Sequence, residues 1–359
     1  MEDYLSIKEA AKLLDVNSET LRRWDNSGKF KSLRHPINNY RVYTQQQINT
    51  FVNEIKIDNY AYVPKLKLYS DVEINPIFTS KNGNLYNVDA IDFLRKLESN
   101  SVDLIFADPP YNIKKAEWDI FSSQNEYLEW SKEWIMEAHR VLKDNGSLYV
   151  CGFSEILADI KFITSKYFHS CKWLVWFYRN KANLGKDWGR SHESILLLRK
   201  SKKFIFNIDE ARIPYNEHTV KYPQRTQAES SQYSNSKKQY VWEPNPLGAK
   251  PKDVLEIPTI SNGSWERSIH PTQKPVELLK KIILSSSNED NLILDPFGGS
   301  GTTYAVAEAF GRRWLGTELD KNYCIEIEKR LKDKSHINRI LLGDDDSSSQ
   351  NRRKKLRGE

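Results

Sequence analysis

The spacing of apolar residues changes along this chain, and each change marks a new element. Ile7, Ala10, Ala11 and Leu14 recur at helical spacing, "DVN" makes a short turn, Ser18 is placed to cap a second helix through Leu21 and Trp24, and Gly28 stops it. Two short helices about a tight turn make a helix-turn-helix unit, and "HPINNYRVYT" behind them alternates like a hairpin or wing. A linker over 56–75 leads to "NLYNVD" and "VDLIFAD", two strands separated by the helical "AIDFLRKLESN". An amphipathic helix follows over 124–142, its stripe formed by Tyr127, Leu128, Ile135, Ala138, Val141 and Leu142. "DNG" at 144–146 predicts a turn, and "SLYVCGF", "WLVWFY" (173–178) and "SILLLR" (194–199) predict three further strands. Strands alternating with helices imply a parallel, doubly wound α/β sheet.

Residues 203–262 lose this rhythm. They are polar and loop-like, with Tyr215, Tyr222, Tyr233, Tyr240 and Trp242 interleaved with Lys221, Arg225, Lys237, Lys238 and Lys250. The rhythm then returns as a helix over 275–286, the strand "NLILD", a glycine turn, a helix over 302–310 and the strand "RWLGTEL". The expected blocks are 1–55, a linker 56–75, a first α/β half 76–202, an insertion 203–262 and a second α/β half 263–335. The tail 336–359, ending "DDDSSSQNRRKKLRGE", is expected to be disordered.

Composition narrows the class. Of 359 residues 39% are hydrophobic and 28% charged, as in a globular protein, and no apolar run reaches the length of a membrane span. The opening "MEDYLSIKEA" lacks a basic region followed by an apolar stretch, so no secretory signal is expected and the expected location is the cytoplasm. Cys151, Cys171 and Cys324 are widely spaced, which suits a reducing compartment and argues against disulfides or a zinc site; no metal is expected. The formal charge of +6 is compatible with a polyanionic partner without establishing one.

Two motifs carry chemistry. "LILDPFGGSGTT" is a strand ending in Asp295, a glycine-rich turn and a helix opening at Thr302 and Thr303. Gly298, Gly299 and Gly301 permit close backbone approach to a ligand at the carboxyl end of a strand. No Lys-Ser/Thr follows the glycines, so the turn is not a phosphate-binding P-loop. The next strand ends in Glu318, placed to hold a ribose diol, as an adenosyl ligand without phosphates needs. In "LIFADPPYNI" a strand exits into Asp108, Pro109, Pro110 and Tyr111. An amino group on an aromatic ring is a poor nucleophile because its lone pair is delocalised. Accepting hydrogen bonds from both its N–H groups frees that lone pair, and the Asp108 carboxylate and the Pro109 carbonyl are two such acceptors. Tyr111 offers a face on which a flat base stacks.

Together these residues resemble the S-adenosylmethionine-dependent amino-methyltransferases of DNA. "ADPPYN" is similar to their catalytic motif, "DPFGGSGTT" to their cofactor motif, and "HPTQKP" (270–275) to a third cofactor-contacting segment. Catalytic motif first, variable segment next and cofactor motif last is the permuted order of the β group. The resemblance implies a Rossmann-like methyltransferase sheet with circularly permuted motifs, covering about 75 to 331, whose two halves flank a target-recognition insertion at 203–262. It also implies that Asp295, Phe297, Gly299, Ser300 and Gly301 line the cofactor pocket and that Thr302, Thr303 and Lys274 hold the methionine part. Glu318 would hold the ribose and Asp89 the adenine amino group, with Asp108, Pro109, Pro110 and Tyr111 forming the catalytic pocket. "GRSHESILLLRK" resembles a family segment near the target base and leaves the roles of His192 and Glu193 open.

The first block, through "LSIKEAAKLLDVNSETLRRWDNSGK" and "YRVYT", resembles DNA-binding domains of the MerR and excisionase type. That resemblance implies DNA contacts from Thr20, Arg22 and Arg23 on a recognition helix and Arg41 in the wing, beside Lys221, Arg225, Lys237 and Lys238 of the insertion. The expected activity is N6-adenine methylation of double-stranded DNA by base flipping, with a cognate restriction endonuclease as a possible partner and a monomer or homodimer as the working form. N4-cytosine methylation is the alternative, since that amino group poses the same electronic problem. A DNA-binding regulator with an inactive methyltransferase domain is the alternative from another class. Glutamine-amide methyltransferases carry Asn in place of Asp and the opposite motif order.

Overall fold

The computed structural model describes residues 4–14, 16–35, 38–58, 74–113, 119–179, 186, 188–223, 225–227 and 240–342, with the backbone alone for 52–58, 225–227, 240 and 241. These residues form two compact units, one containing Tyr4–Asp58 and the other Ile74–Leu341.

In the first unit, β1 (Tyr4–Ser6) enters α1 (Ile7–Leu13) through a capping box in which Ser6 and Glu9 satisfy each other's backbone N–H groups. The second helix, α2 (Ser18–Ser27), is capped by Asn17 and not by Ser18 as expected. The Asn17 side chain accepts from Thr20 N, and Gly28 at φ 82° ends the helix. The wing is β2 (Leu33–Arg34) against β3 (Arg41–Thr44), and β1 adds a third strand on the other side of β3. A third helix, α3 (Gln45–Asp58), runs into the expected linker. Leu21, Phe30, Tyr43 and Phe51 fill the core, with Phe30 stacked on Tyr43 and on Phe51.

The second unit is built on nine strands in the order β12-β8-β9-β7-β6-β13-β14-β5-β4. They are β4 (Phe78–Thr79), β5 (Gly83–Tyr86), β6 (Val102–Ala107), β7 (Leu142–Gly152), β8 (Ser170–Phe177), β9 (His192–Arg199), β12 (Val254–Glu256), β13 (Leu292–Asp295) and β14 (Arg313–Thr317). Helices α4 (Ala90–Lys96), α5 (Gln124–Val141), α6 (Ser154–Thr164), α9 (Val276–Ser286) and α10 (Thr302–Ala309) connect them, and α11 (Lys321–Lys332) and α12 (Lys334–Leu342) follow the last strand. Two hydrophobic clusters form the core: Phe93, Trp134, Ile135 and Leu157 in one, Leu279, Ile283, Tyr304 and Trp314 in the other. All six residues of β6 are buried, as a strand covered on both faces requires.

In the second unit the structure departs from the sequence expectations in four places. The sheet is mixed, because β9 runs antiparallel to both β7 and β8, and β4 antiparallel to β5. The "DNG" turn is a bulge within β7: Val102 pairs with Leu142 and Leu104 with Ser147, so residues 143–146 stand opposite Asp103 alone. That bulge lets Lys143 reach the buried Asp103 at 2.8 Å, while Asp103 also accepts Leu292 N from β13. Within the 203–262 insertion lie α7 (Ile208–Ala211), α8 (Glu217–Lys221), and the strand pair β10 (Arg225–Gln227) and β11 (Tyr240–Trp242); β12 from the same stretch joins the main sheet beside β8. The expected disordered tail starts too early, since α12 continues to Leu342 and buries Ile340. No described helix is long and apolar enough to cross a membrane.

Candidate active site

Four neighbouring parallel strands, β6, β13, β14 and β5, end on one rim of the sheet. Each delivers an acid there: Asp108 after β6, Asp295 at the end of β13, Glu318 after β14, and Asp89 after β5. The chain continues from β6 to β7 on one side and from β13 to β14 on the other, so the gap between β6 and β13 is a switch point of the topology. A cavity of about 470 Å3 opens there, within the range of ligand pockets. Asp108, Pro109, Pro110, Tyr111, Asp89, Lys274, Asp295, Phe297, Gly299, Ser300, Thr302, Thr303 and Glu318 all line it. Gly301, at φ 70° before α10, stands behind it, where an added Cβ would meet Ile327 at 2.9 Å.

The glycine loop is fixed by its surroundings. Asp295 accepts from Phe297 N at 3.0 Å and from the Thr303 hydroxyl at 2.5 Å. Burial pushes the Asp295 carboxyl up to about 8, against the pull of these two hydrogen bonds. Glu318 accepts from Gly299 N at 2.7 Å and Asp320 N at 2.8 Å, and burial raises its pKa despite both bonds. Gly299 sits at φ 51° with the His270 ring 3.2 Å from where a Cβ would be. From below, Arg330 donates to Ser300 O and to the Thr302 hydroxyl, and also to His336 Nε2. Burial and the Arg330 charge hold the His336 pKa down to about 4, so its ring stays neutral as that acceptor role demands.

The catalytic turn is fixed through its backbone. Asp119 accepts from Tyr111 N, Asn112 N and Ile113 N at 2.7, 2.6 and 3.1 Å, and the Tyr127 hydroxyl donates to Pro110 O at 2.9 Å. Its side chains bond one another: the Tyr111 hydroxyl donates to Asp108 Oδ1 at 2.7 Å, and Lys274 Nζ to Asp108 Oδ2 at 2.5 Å. Burial would lower the Lys274 pKa, but the charges of Asp108 and Glu193 outweigh it and hold the ammonium protonated. Burial and the same two carboxylates push the Tyr111 phenol well above its ordinary value. Lys274 therefore meets the catalytic turn here, from a segment assigned by resemblance to the cofactor. That segment is braced by Glu266, which caps α9 at Val276 N, and by Gln273, which spans Ser268 N and Glu266 O.

Asp89 caps α4, one carboxylate oxygen accepting from Ile91 N and Asp92 N, which leaves the other for a ligand. Phe297 packs edge-on against Trp134 at 5.2 Å and near Trp130 at 5.8 Å. Trp130 also lines the cavity, as do Asp119, His270 and Tyr323. The stripe of α5 carried the signal for Trp130 and Trp134, at helical spacing three and seven residues after Tyr127; the local sequence around Asp119 carried none.

The expected DNA contacts have mixed surroundings. Thr20 turns its hydroxyl back to the Asn17 cap at 2.9 Å. Arg22 is half-exposed and pairs with Glu19, whereas Arg23 has a buried Nε that is unbonded among the described residues. Arg41 is bound to the buried Asp25 at 2.6 Å. Burial alone would raise the Asp25 carboxyl, but Arg41 and the Ser32 N–H hold it at about 2. Lys221 ends α8 and is exposed. Arg225 is described by its backbone alone, and Lys237 and Lys238 lie outside the described residues.

Comparison with known proteins gives the family. Residues 102–329 match the family model described as DNA methylase, and residues 6–43 the one described as MerR family regulatory protein. The chain is 35% identical over 249 residues to the type II methyltransferase M.HpaI of Haemophilus parainfluenzae, covering 67% of this chain and 72% of that protein. It is 35% identical over 267 residues to the DNA adenine methyltransferase YhdJ of Escherichia coli (strain K12), covering 72% and 86%. Among solved structures, the cytosine-N4-specific PvuII DNA methyltransferase superposes with a TM-score of 0.55 at 20% identity, covering 76% of this chain and 98% of that one, which shows the shared fold. The chain belongs to the N6/N4-type DNA methylase family, amino-methyltransferases that use S-adenosylmethionine, and carries a small MerR-like unit ahead of the permuted sheet.

Proposed function

We propose that the chain methylates the N6 amino group of adenine in double-stranded DNA, at a specific site and with the target base turned out of the helix. The observation that carries this reading is one cavity lined both by Asp108 of the catalytic turn and by Gly299 of the glycine loop. Its residues fit S-adenosylmethionine: Glu318 is oriented by two backbone N–H groups and keeps lone pairs for a diol. Asp89 keeps one oxygen for an amino group, and Phe297 and Val88 give the wall apolar surface. When bound, the cofactor would supply a methyl carbon activated by its sulfonium: the bond to the amino nitrogen would form as the carbon–sulfur bond breaks, and the nitrogen would then release a proton.

The chain's own part is positioning and charge. Asp108 and the Pro109 carbonyl accept the two N–H bonds of the base, raising electron density on the nitrogen and stabilising the cationic nitrogen as it forms. Tyr111 supplies a stacking face. Asp rather than Ser at the first position of the motif is the adenine-type choice in the family's pattern, and YhdJ, named for adenine, is a relative of 35% identity. In this reading residues 203–262 read the sequence and the MerR-like unit adds contacts to the duplex, Arg22 being more accessible than Arg41. The protein serves as the modification partner of a restriction endonuclease, as a monomer or homodimer.

The test is nucleoside mass spectrometry of unmethylated DNA after incubation with the protein and S-adenosylmethionine. N6-methyladenine is expected; N4-methylcytosine without it would overturn the choice of base.

A further inference from the structure

Two donors in the cavity each face two carboxylates. Lys274 Nζ lies 2.5 Å from Asp108 Oδ2 and 3.4 Å from Glu193 Oε2. The Tyr111 hydroxyl lies 2.7 Å from Asp108 Oδ1 and 3.2 Å from the same Glu193 oxygen. Each Asp108 oxygen thus already holds one protein donor, and turning the carboxylate to accept an N–H of the base draws both oxygens away from those donors. Displacing the ammonium from Asp108 with no other anion at hand would strand a charge in a site where the Lys274 side chain is only 6% exposed. Glu193 is that other anion. It reaches the rim because β9 runs against its neighbours, so its first residues stand beside the last of β7 and β8: Ser194 opposite Gly152, Glu193 opposite Trp176.

We propose that Glu193 is a positioning residue that receives Lys274 and the Tyr111 hydroxyl when Asp108 turns its oxygens to the target base. The exchange breaks no covalent bond and moves no proton. Two contacts to Glu193 shorten as two contacts to Asp108 open, and the charge of the cluster is unchanged. Asp108 is thereby held idle without a base and released at small cost when one enters. This inference rests on the reading of Asp108 as the acceptor of the base amino group.

The experiment measures transfer of a labelled methyl group from S-adenosylmethionine to unmethylated plasmid DNA by the full chain, with Glu193→Gln and Glu193→Asp beside the parent. Gln keeps the shape and loses the charge; Asp keeps the charge. Expected for Glu193→Gln is a kcat about 30-fold lower, while the Kd for S-adenosylmethionine by calorimetry stays within about threefold. Glu193→Asp is expected to recover kcat to within about fivefold of the parent. A Gln variant within threefold of the parent in kcat overturns the proposal, as does an equal loss in both variants or a loss confined to cofactor affinity, either of which marks a structural role. An inactive parent on any unmethylated DNA defeats the methyl-transfer reading itself, and with it this inference, before a variant is compared.

Discussion

The glycine loop and the catalytic turn leave adjacent strands of one sheet and open on one cavity, but they are held in different ways. Every polar group that shapes the glycine loop belongs to the scaffold around it: Asp295 and Thr303 at its ends, Glu318 beside it, Arg330 beneath it. In the catalytic turn the backbone is equally tied down, by Asp119 and Tyr127, but the acid at its centre is bonded to Tyr111 and Lys274. On the proposed reading the cofactor side is therefore set before its ligand arrives, and the base side trades partners. Fixed dipoles need no reorganisation on binding; a self-paired carboxylate does.

The sharpest way to break this contrast is Asp108→Ala. Methyl transfer is expected to fall by about 10³-fold, with S-adenosylmethionine affinity by calorimetry kept within about threefold. If turnover survives, the catalytic turn is no more than a second scaffold loop. Glu318→Ala tests the opposite side: losing a charged acceptor that also fixes Gly299 should weaken S-adenosylmethionine about 30-fold, or about 2 kcal/mol, with kcat at saturation little changed. Unchanged affinity would mean that the glycine loop does not depend on this anchor.

A third prediction concerns pH. Folding raises the Asp295 carboxyl from its ordinary 3.8 to about 8, so between these values the unfolded chain loses a proton that the folded chain keeps. This contribution to stability is full below about 4 and is lost as pH rises to about 8, at no more than about 1.4 kcal/mol per pH unit. Asp295→Asn should flatten that decline in thermal unfolding followed from pH 5 to 8. An unaltered slope would show that Asp295 ionises normally inside the loop.

Much of this site could be read from the chain because strand ends and glycine turns leave local marks. Asp108, Asp295 and Glu318 each close an apolar run, which marks them as strand-end residues; the roles expected of them came from the motifs and the resemblance. What sequence could not supply were facts about direction and distance. Period-two alternation does not say which way a strand runs, so the reversal of β9, which brings Glu193 to the rim, was invisible. Val254–Glu256, three residues long, is too short to announce a strand. The bond from Lys274 to Asp108 joins residues 166 positions apart, and nothing beside Lys274 points to it. The Asn17 cap was misplaced by one residue because Asn and Ser cap equally well and stand side by side.

The reversal of β9 has a further consequence. Since β8 rises to the rim and β9 descends from it, the peptide joining Phe177 to His192 starts and finishes on the rim of the sheet, where Tyr178 N meets Ser191 O at 2.9 Å. Among the described residues its ends are held by that antiparallel closure and by the Arg190–Glu155 and Arg179–Glu256 ion pairs. Because the β8–β9 pairing runs unbroken up to this closure, a segment of another length grafted there is expected to leave the pleat below undisturbed.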